Sequence, residues 1–92
     1  MELQETSQND FFVGNDPIMQ SATDALMLLS KVGKIYVKAD GDLIPNAVAI
    51  ANIIVENFLK NNSKIEIITL DSKISPTDGI MTSNIEIVLS KN

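Results

Sequence analysis

A chain of 92 residues, 45% of them hydrophobic, makes one domain; at that size little more than ~60% of the unfolded surface is buried, so pairing with another chain would add appreciably to stability. With no Cys and no His, thiol chemistry, disulfides, zinc sites and imidazole acid–base catalysis are excluded. Twelve Asp and Glu against seven Lys, with no Arg, leave a net charge of −5, the reverse of the balance in proteins built to grip phosphate backbones.

Residues 1–9 are polar and aperiodic and read as a disordered lead-in to a single domain over residues 10–92. Residues 11–14 (FFVG) read as a short first strand cut by Gly14. Asn15, Asp16 and Pro17 then signal a helix start, with the Asp16 carboxylate over free N–H groups and Pro in the first turn. A ligand-facing loop at the helix N-terminus is the other reading of these residues, and the two are compatible. The spacing of Ile18, Ala22, Ala25, Leu26 and Leu29 predicts a helix over 17–31 with those residues inward and Gln20, Thr23, Asp24 and Lys31 outward. Gly33 suits its C-terminal cap, and Met19 and Met27 read as packing fillers.

Residues 34–39 alternate, with Ile35 and Val37 on one side and Lys34, Tyr36 and Lys38 on the other, which predicts a half-buried strand stopped by Asp40-Gly41-Asp42. A second helix is predicted over 45–60, with Pro45 in its first turn. On a helical wheel Asn46, Asn52, Glu56, Asn57 and Lys60 share a polar arc. Ala47, Val48, Ile50, Ala51, Ile54, Val55, Phe58 and Leu59 cover more than the ~100° stripe that one sheet needs, and Ile53 falls inside the polar arc. Such a helix calls for two neighbours: its own sheet and a second subunit, met through Ile54, Val55, Phe58 and Leu59.

After a patternless link at 61–63, residues 64–74 alternate for most of their length, with Ile65, Ile67 and Thr69 on one face and Glu66, Ile68 and Leu70 on the other. Turn residues come next at 75–79, and 82–91 alternate again with Ile85, Ile87 and Leu89 on one side, so the last two segments form a hairpin. Its outer part, about residues 72–83, is expected to project as an arm; an ordinary long loop is the alternative. The order βαβαββ and a right-handed crossover predict an α/β two-layer sandwich, with two helices on one face of a four-stranded mixed sheet.

Nothing here supports an enzyme. Asp40 and Asp42 are the closest carboxylate pair, but a calcium loop starting at Asp40 needs Glu at its twelfth position, where Ala51 stands, so an exposed turn is the preferred reading. No Ser or Thr has an identifiable base, and Gly33 and Gly41 belong to no phosphate-loop pattern. No cofactor and no metal are expected. The apolar runs are too short to span a membrane and the first residues lack a leader pattern, so a cytoplasmic protein is expected.

Gly14-x-x-Pro17-x-Met19 opens helix one, Ala25-x-x-Leu28-Leu29 lies within it, Val37-Lys38-Ala39-x-Gly41 precedes helix two, Phe58-Leu59 ends it, and Ile85-Glu86-Ile87 sits in the last strand. In these motifs, in their order and over about 80 of the 92 residues, the chain resembles the Alba family of archaeal chromatin and RNA-associated proteins. It implies the βαβαββ fold, a homodimer or heterodimer, nucleoid association, and nucleic acid bound across the dimer body and between two hairpin arms. By family position Asn15, Asp16, Lys38, Asp40, Asp42, Asn46 and Lys73 face nucleic acid. Asn15 and Asp16 stand where the family carries Lys, Asp40, Asp42 and Asn46 where it carries basic residues, and Asp71 and Asp78 accompany Lys73 on the arm. Since each phosphate neutralised adds roughly 0.9 to the salt slope of duplex binding, these exchanges lose contacts and add repulsion. Three readings stay open: an acidic paralogue that dimerises with basic Alba members and tunes their DNA or RNA binding, a direct but weak DNA or RNA binder, and an acidic nucleic-acid mimic.

Overall fold

The protein is described by a computed structural model covering residues 9–92. The expected tail at 1–9 lies outside the described residues except for Asn9, whose main-chain oxygen accepts the Tyr36 N–H at 2.9 Å and whose Nδ2 donates to the Lys34 carbonyl at 2.7 Å. In chain order come β1 (Asp10–Phe12), α1 (Ile18–Val32), β2 (Lys34–Asp40), a 3₁₀ turn (Gly41–Leu43), α2 (Ile44–Ile53), a π turn (Ile54–Phe58), β3 (Ser63–Ile74) and β4 (Met81–Lys91). The sheet runs β1-β2-β4-β3, with β1 and β2 parallel and the other pairs antiparallel. Both helices pack on one face, giving the expected two-layer α/β sandwich.

Alternation decides the core. Ile35, Val37 and Ala39 of β2 and Ile85, Ile87 and Leu89 of β4 point to the helices and are buried with Ala22, Ala25 and Leu29 of α1 and Ala47, Ile50 and Ala51 of α2. Each large side chain removed from water this way contributes about 1.5–3 kcal/mol. The opposite sheet face carries Tyr36, Lys38, Glu86 and Val88; Val88 is buried there because Tyr36 and Ile67 flank it across both strand pairs.

α1 ends as its sequence indicates: Gly33 takes φ 86° and its N–H donates to the Leu29 carbonyl at 2.7 Å, a conformation that costs a Cβ-bearing residue more than glycine. Its start differs from expectation. Pro17 itself occupies the N-cap at φ −55° and ψ 141°, no side-chain cap hydrogen bond forms there among the described residues, and Asp16 lies one residue outside the N-cap. Met19 and Met27 are not fillers either. They flank Thr23 on the outward side of α1 and are more than half exposed.

The second helix is not a uniform α-helix. Over Ile54–Phe58 the turn widens, and the Leu59 N–H reaches the Ile54 carbonyl at 2.8 Å, an i→i+5 bond. A wheel at α pitch therefore misplaces the end of the helix. The neighbour beside α2 is in part α1, which packs against it from the same layer, and this absorbs some of the excess apolar surface read from the sequence. Asn61 then takes φ 69°, a left-handed turn that Asn tolerates, and the chain enters β3.

β3 departs furthest from its sequence reading. A bulge between Ile65 and Ile67 inserts one residue, so Ile65 pairs with Leu89 but Ile67 pairs with Val88 and Ile68 with Ile87. The alternation changes phase there. Ile65, Ile68 and Leu70 share the helix-side face, and Ile67 and Thr69 point the other way; the grouping of Ile65 with Ile67 and Thr69 expected from the sequence is wrong. The bulged Glu66 lies 3.4 Å from Lys34, and a hydrogen bond with Ser90, followed by the Lys34 interaction, holds its carboxyl below its ordinary range.

Candidate nucleic-acid interface

β2 pairs with β4 only as far as Asp40 opposite Asn84, whereas β3 and β4 stay paired out to Ile74 opposite Met81. Residues 72–83 thus form a two-stranded extension with no third strand beside it among the described residues. Its tip is closed by the Ser75 N–H to the Ile80 carbonyl and the Gly79 N–H to the Ser75 carbonyl, both at 2.9 Å. The Ile80 N–H also donates to Asp78 Oδ1 at 3.0 Å, and this bond, with help from Ser75, holds the Asp78 carboxyl below its usual range. On the helix-side face of the hairpin, Ile68, Leu70, Ile74 and Met81 are 50–66% exposed, since the helices end before reaching them.

At the base of this extension, where β1 and β2 finish, a cleft of about 420 Å³ opens. The strand registers set one row of side chains across its floor, Phe12, Lys38, Glu86 and Thr69, and place Asp40, Asn84 and Asp71 in the next. Lys38 is the single cation among the lining residues. Asp40, Asp71 and Glu86 make the formal balance one minus three, or −2. Nor is Lys38 at liberty: its Nζ lies 3.4 Å from Asp10 Oδ2, 3.6 Å from Glu86 Oε2 and 5.7 Å from the centre of the Phe12 ring. Among the described residues no three acidic side chains converge closely enough to hold a metal ion.

The residues singled out by sequence are scattered relative to this cleft. Lys38 and Asp40 line it; Asn15, Asp16, Asp42, Asn46 and Lys73 do not. Asn15 and Asp16 are exposed in the loop before α1, Asp42 is exposed in the 3₁₀ turn, and Asn46 is half-buried in the first turn of α2. Lys73 is exposed on the hairpin extension opposite Thr82 and forms no ion pair with a described residue. Of the expected assembly residues, Ile54 is fully enclosed in its own core, Val55 and Leu59 are half-buried, and Phe58 is exposed, joined by Val48 earlier on α2. Asp10, Phe12, Thr69, Asn84 and Glu86 were not singled out. Their signal is long-range: Glu86 is outward in Ile-Glu-Ile, but only the pairing of β2 with β4 sets it beside Lys38.

Comparison with known proteins places this arrangement. The family model described as Alba matches residues 9–72. The DNA/RNA-binding protein Alba of Methanoculleus marisnigri is 36% identical over 84 residues, covering 89% of this chain and 92% of that protein. Alba from Thermoplasma volcanium superposes with a TM-score of 0.76 at 34% identity, over 89% of this chain and 99% of its own. ALBA1 from Trypanosoma brucei, at 23% identity, shares the fold with a TM-score of 0.71 over 94% of this chain and 72% of its own. Motifs, strand order and relatives agree, and the chain belongs to the Alba family, whose members are nucleic-acid-binding proteins rather than enzymes.

Proposed function

We propose that this chain is a DNA- or RNA-associated Alba protein that assembles through its second helix and tunes the binding of a basic family member, its own hold on phosphate being weak. The observation that carries this reading is the cleft at the base of the hairpin, where the one lining cation is paired with two carboxylates and the remaining charge is negative. Phosphates entering there meet repulsion, and counterion release cannot drive them in as it does for a basic surface.

Assembly is supported by a second feature. Val48 on α2, Phe58 at the end of the π turn, and the bare helix-side faces of Ile68 and Leu70 on β3 are apolar surfaces left open by the single subunit. A second subunit, a copy of this chain or a basic paralogue, would cover them by extending the helix layer over the uncovered part of the sheet. Native mass spectrometry of the chain mixed with a basic Alba protein tests this: mixed dimers are expected, and separate homodimers alone would remove the tuning role.

Lys73 favours a second reading, direct but weak binding, because it stands exposed on the extension. Mobility of duplex DNA and RNA through a salt series separates the two. Retardation by the chain alone at low salt supports direct contact; retardation only in the mixed dimer supports tuning. Neither retardation nor mixed dimers would leave the acidic-mimic reading.

A further inference from the structure

We propose that Glu86, together with Asp10, acts as a built-in restraint on nucleic-acid affinity by holding Lys38 in an internal ion pair, so that Glu86 sets binding strength without touching the ligand. The inference rests on the reading that this chain itself contacts DNA or RNA, alone or within a mixed dimer. Its starting point is the sheet geometry. Lys38 stands directly opposite Glu86 on β4 and directly beside Phe12 on β1, all three on the face away from the helices. Opposite charges at directly paired positions of neighbouring strands meet without distortion. The Asp10 carboxylate, two residues before Phe12 on the same strand, closes on the ammonium from the other side and is itself only 8% exposed.

The group of three therefore carries one positive and two negative charges, a balance of −1, at the position where the cleft would otherwise present a free lysine. A phosphate can recruit the ammonium only by drawing it from both carboxylates and from the Phe12 ring, and it is repelled by those carboxylates as it approaches. The Lys38–Glu86 pair, with both side chains more than a third exposed, contributes little to folding. Its larger effect is on what the cleft can bind. The Glu86 side chain is 40% exposed, so an isosteric Gln fits without repacking.

The test is fluorescence anisotropy with a labelled duplex DNA and a duplex RNA across a salt series. It compares the wild type, Glu86→Gln, Lys38→Gln, the double variant, and Asp24→Asn as a control that removes one carboxylate from the exposed side of α1. Thermal melts confirm that each is folded, and the basic partner is present in a parallel series. Glu86→Gln is expected to tighten binding about three- to tenfold at low salt and to steepen the salt slope by up to roughly 0.9, the share of one recruited phosphate contact. Asp24→Asn should shift it clearly less. Lys38→Gln is expected to change wild-type binding less than about twofold but to abolish the gain in the Glu86→Gln background, a non-additivity that a general charge effect does not produce. Equal gains from Glu86→Gln and Asp24→Asn, or an equal loss on removing Lys38 in both backgrounds, would overturn the restraint while leaving nucleic-acid binding in place. If no variant binds either duplex, with or without the partner, direct contact fails and the restraint fails with it.

Discussion

Replacing Leu70 by Ser distinguishes a surface awaiting a second subunit from one that packs at home. Leu70 is 66% exposed on the helix-side face of β3, beyond the reach of α1 and α2. Complete burial of a leucine is worth about 1.5–3 kcal/mol, so the uncovered two-thirds represents roughly 1–2 kcal/mol per subunit if a partner covers it. A two-fold dimer counts the residue twice, and ~2–4 kcal/mol weakens association by about 30- to 1,000-fold. The part already buried amounts to less than about 1 kcal/mol, which shifts the melting temperature of a domain this size by only a few degrees. Light scattering and sedimentation over a dilution series read the association, and a thermal melt reads the fold. An unchanged mass at every concentration would refute the claim that this face is an assembly surface, and a collapse in melting temperature would show that Leu70 is core.

Phe58→Ala should act on both levels, because Phe58 is 37% exposed and the rest of its side chain is already packed: the melting temperature falls and association weakens, by about 1 kcal/mol per subunit for the open third of the side chain, as melts and the same dilution series would read. Lys73→Gln should lower the salt slope of any DNA binding by roughly 0.9 while leaving stability unchanged, measured by the same anisotropy series. Glu66→Gln tests the bulge. Because Ser90 and Lys34 hold the folded-state value of Glu66 below its ordinary range, the stability it adds is fully present above the usual carboxylate pKa of about 4.3 and disappears as pH falls through the lower folded value. Urea midpoints of wild type and Glu66→Gln should therefore differ at neutral pH and converge in acid; a gap that persists in acid would point to a packing effect instead.

Local signals were legible in the sequence. The alternation of Ile35 and Val37, the helical spacing of Ala22, Ala25 and Leu29, and the stop at Gly33 depend on near neighbours, and they give the elements and their order. What failed depends on distant partners. The pairing of β3 with β4 shifts at Ile65 and Ile67 to keep Ile67 beside Val88, and no residue type within β3 announces that shift. The i→i+5 bond at Leu59 likewise defeats a wheel drawn at α pitch. Lys38 was recognisable as a retained cation from the motif around it, but its engagement by Asp10 and Glu86 depends on which strands lie side by side. Met19 and Met27 were placed by residue type, and type says little about which side of a helix is wet.

The bulge in β3 has a reach beyond its own two residues. Had β3 run on in unbroken register from Ile65, Asp71 and Lys73 would face the helix layer, and Leu70 and Ile74 would look out the opposite side. The same letters would then offer a partner a charged surface where they now offer an oily one. One surplus residue at the root of the hairpin thus acts as a parity bit for the β3 residues beyond it, while β4 keeps the facing that its pairing with β2 gives it.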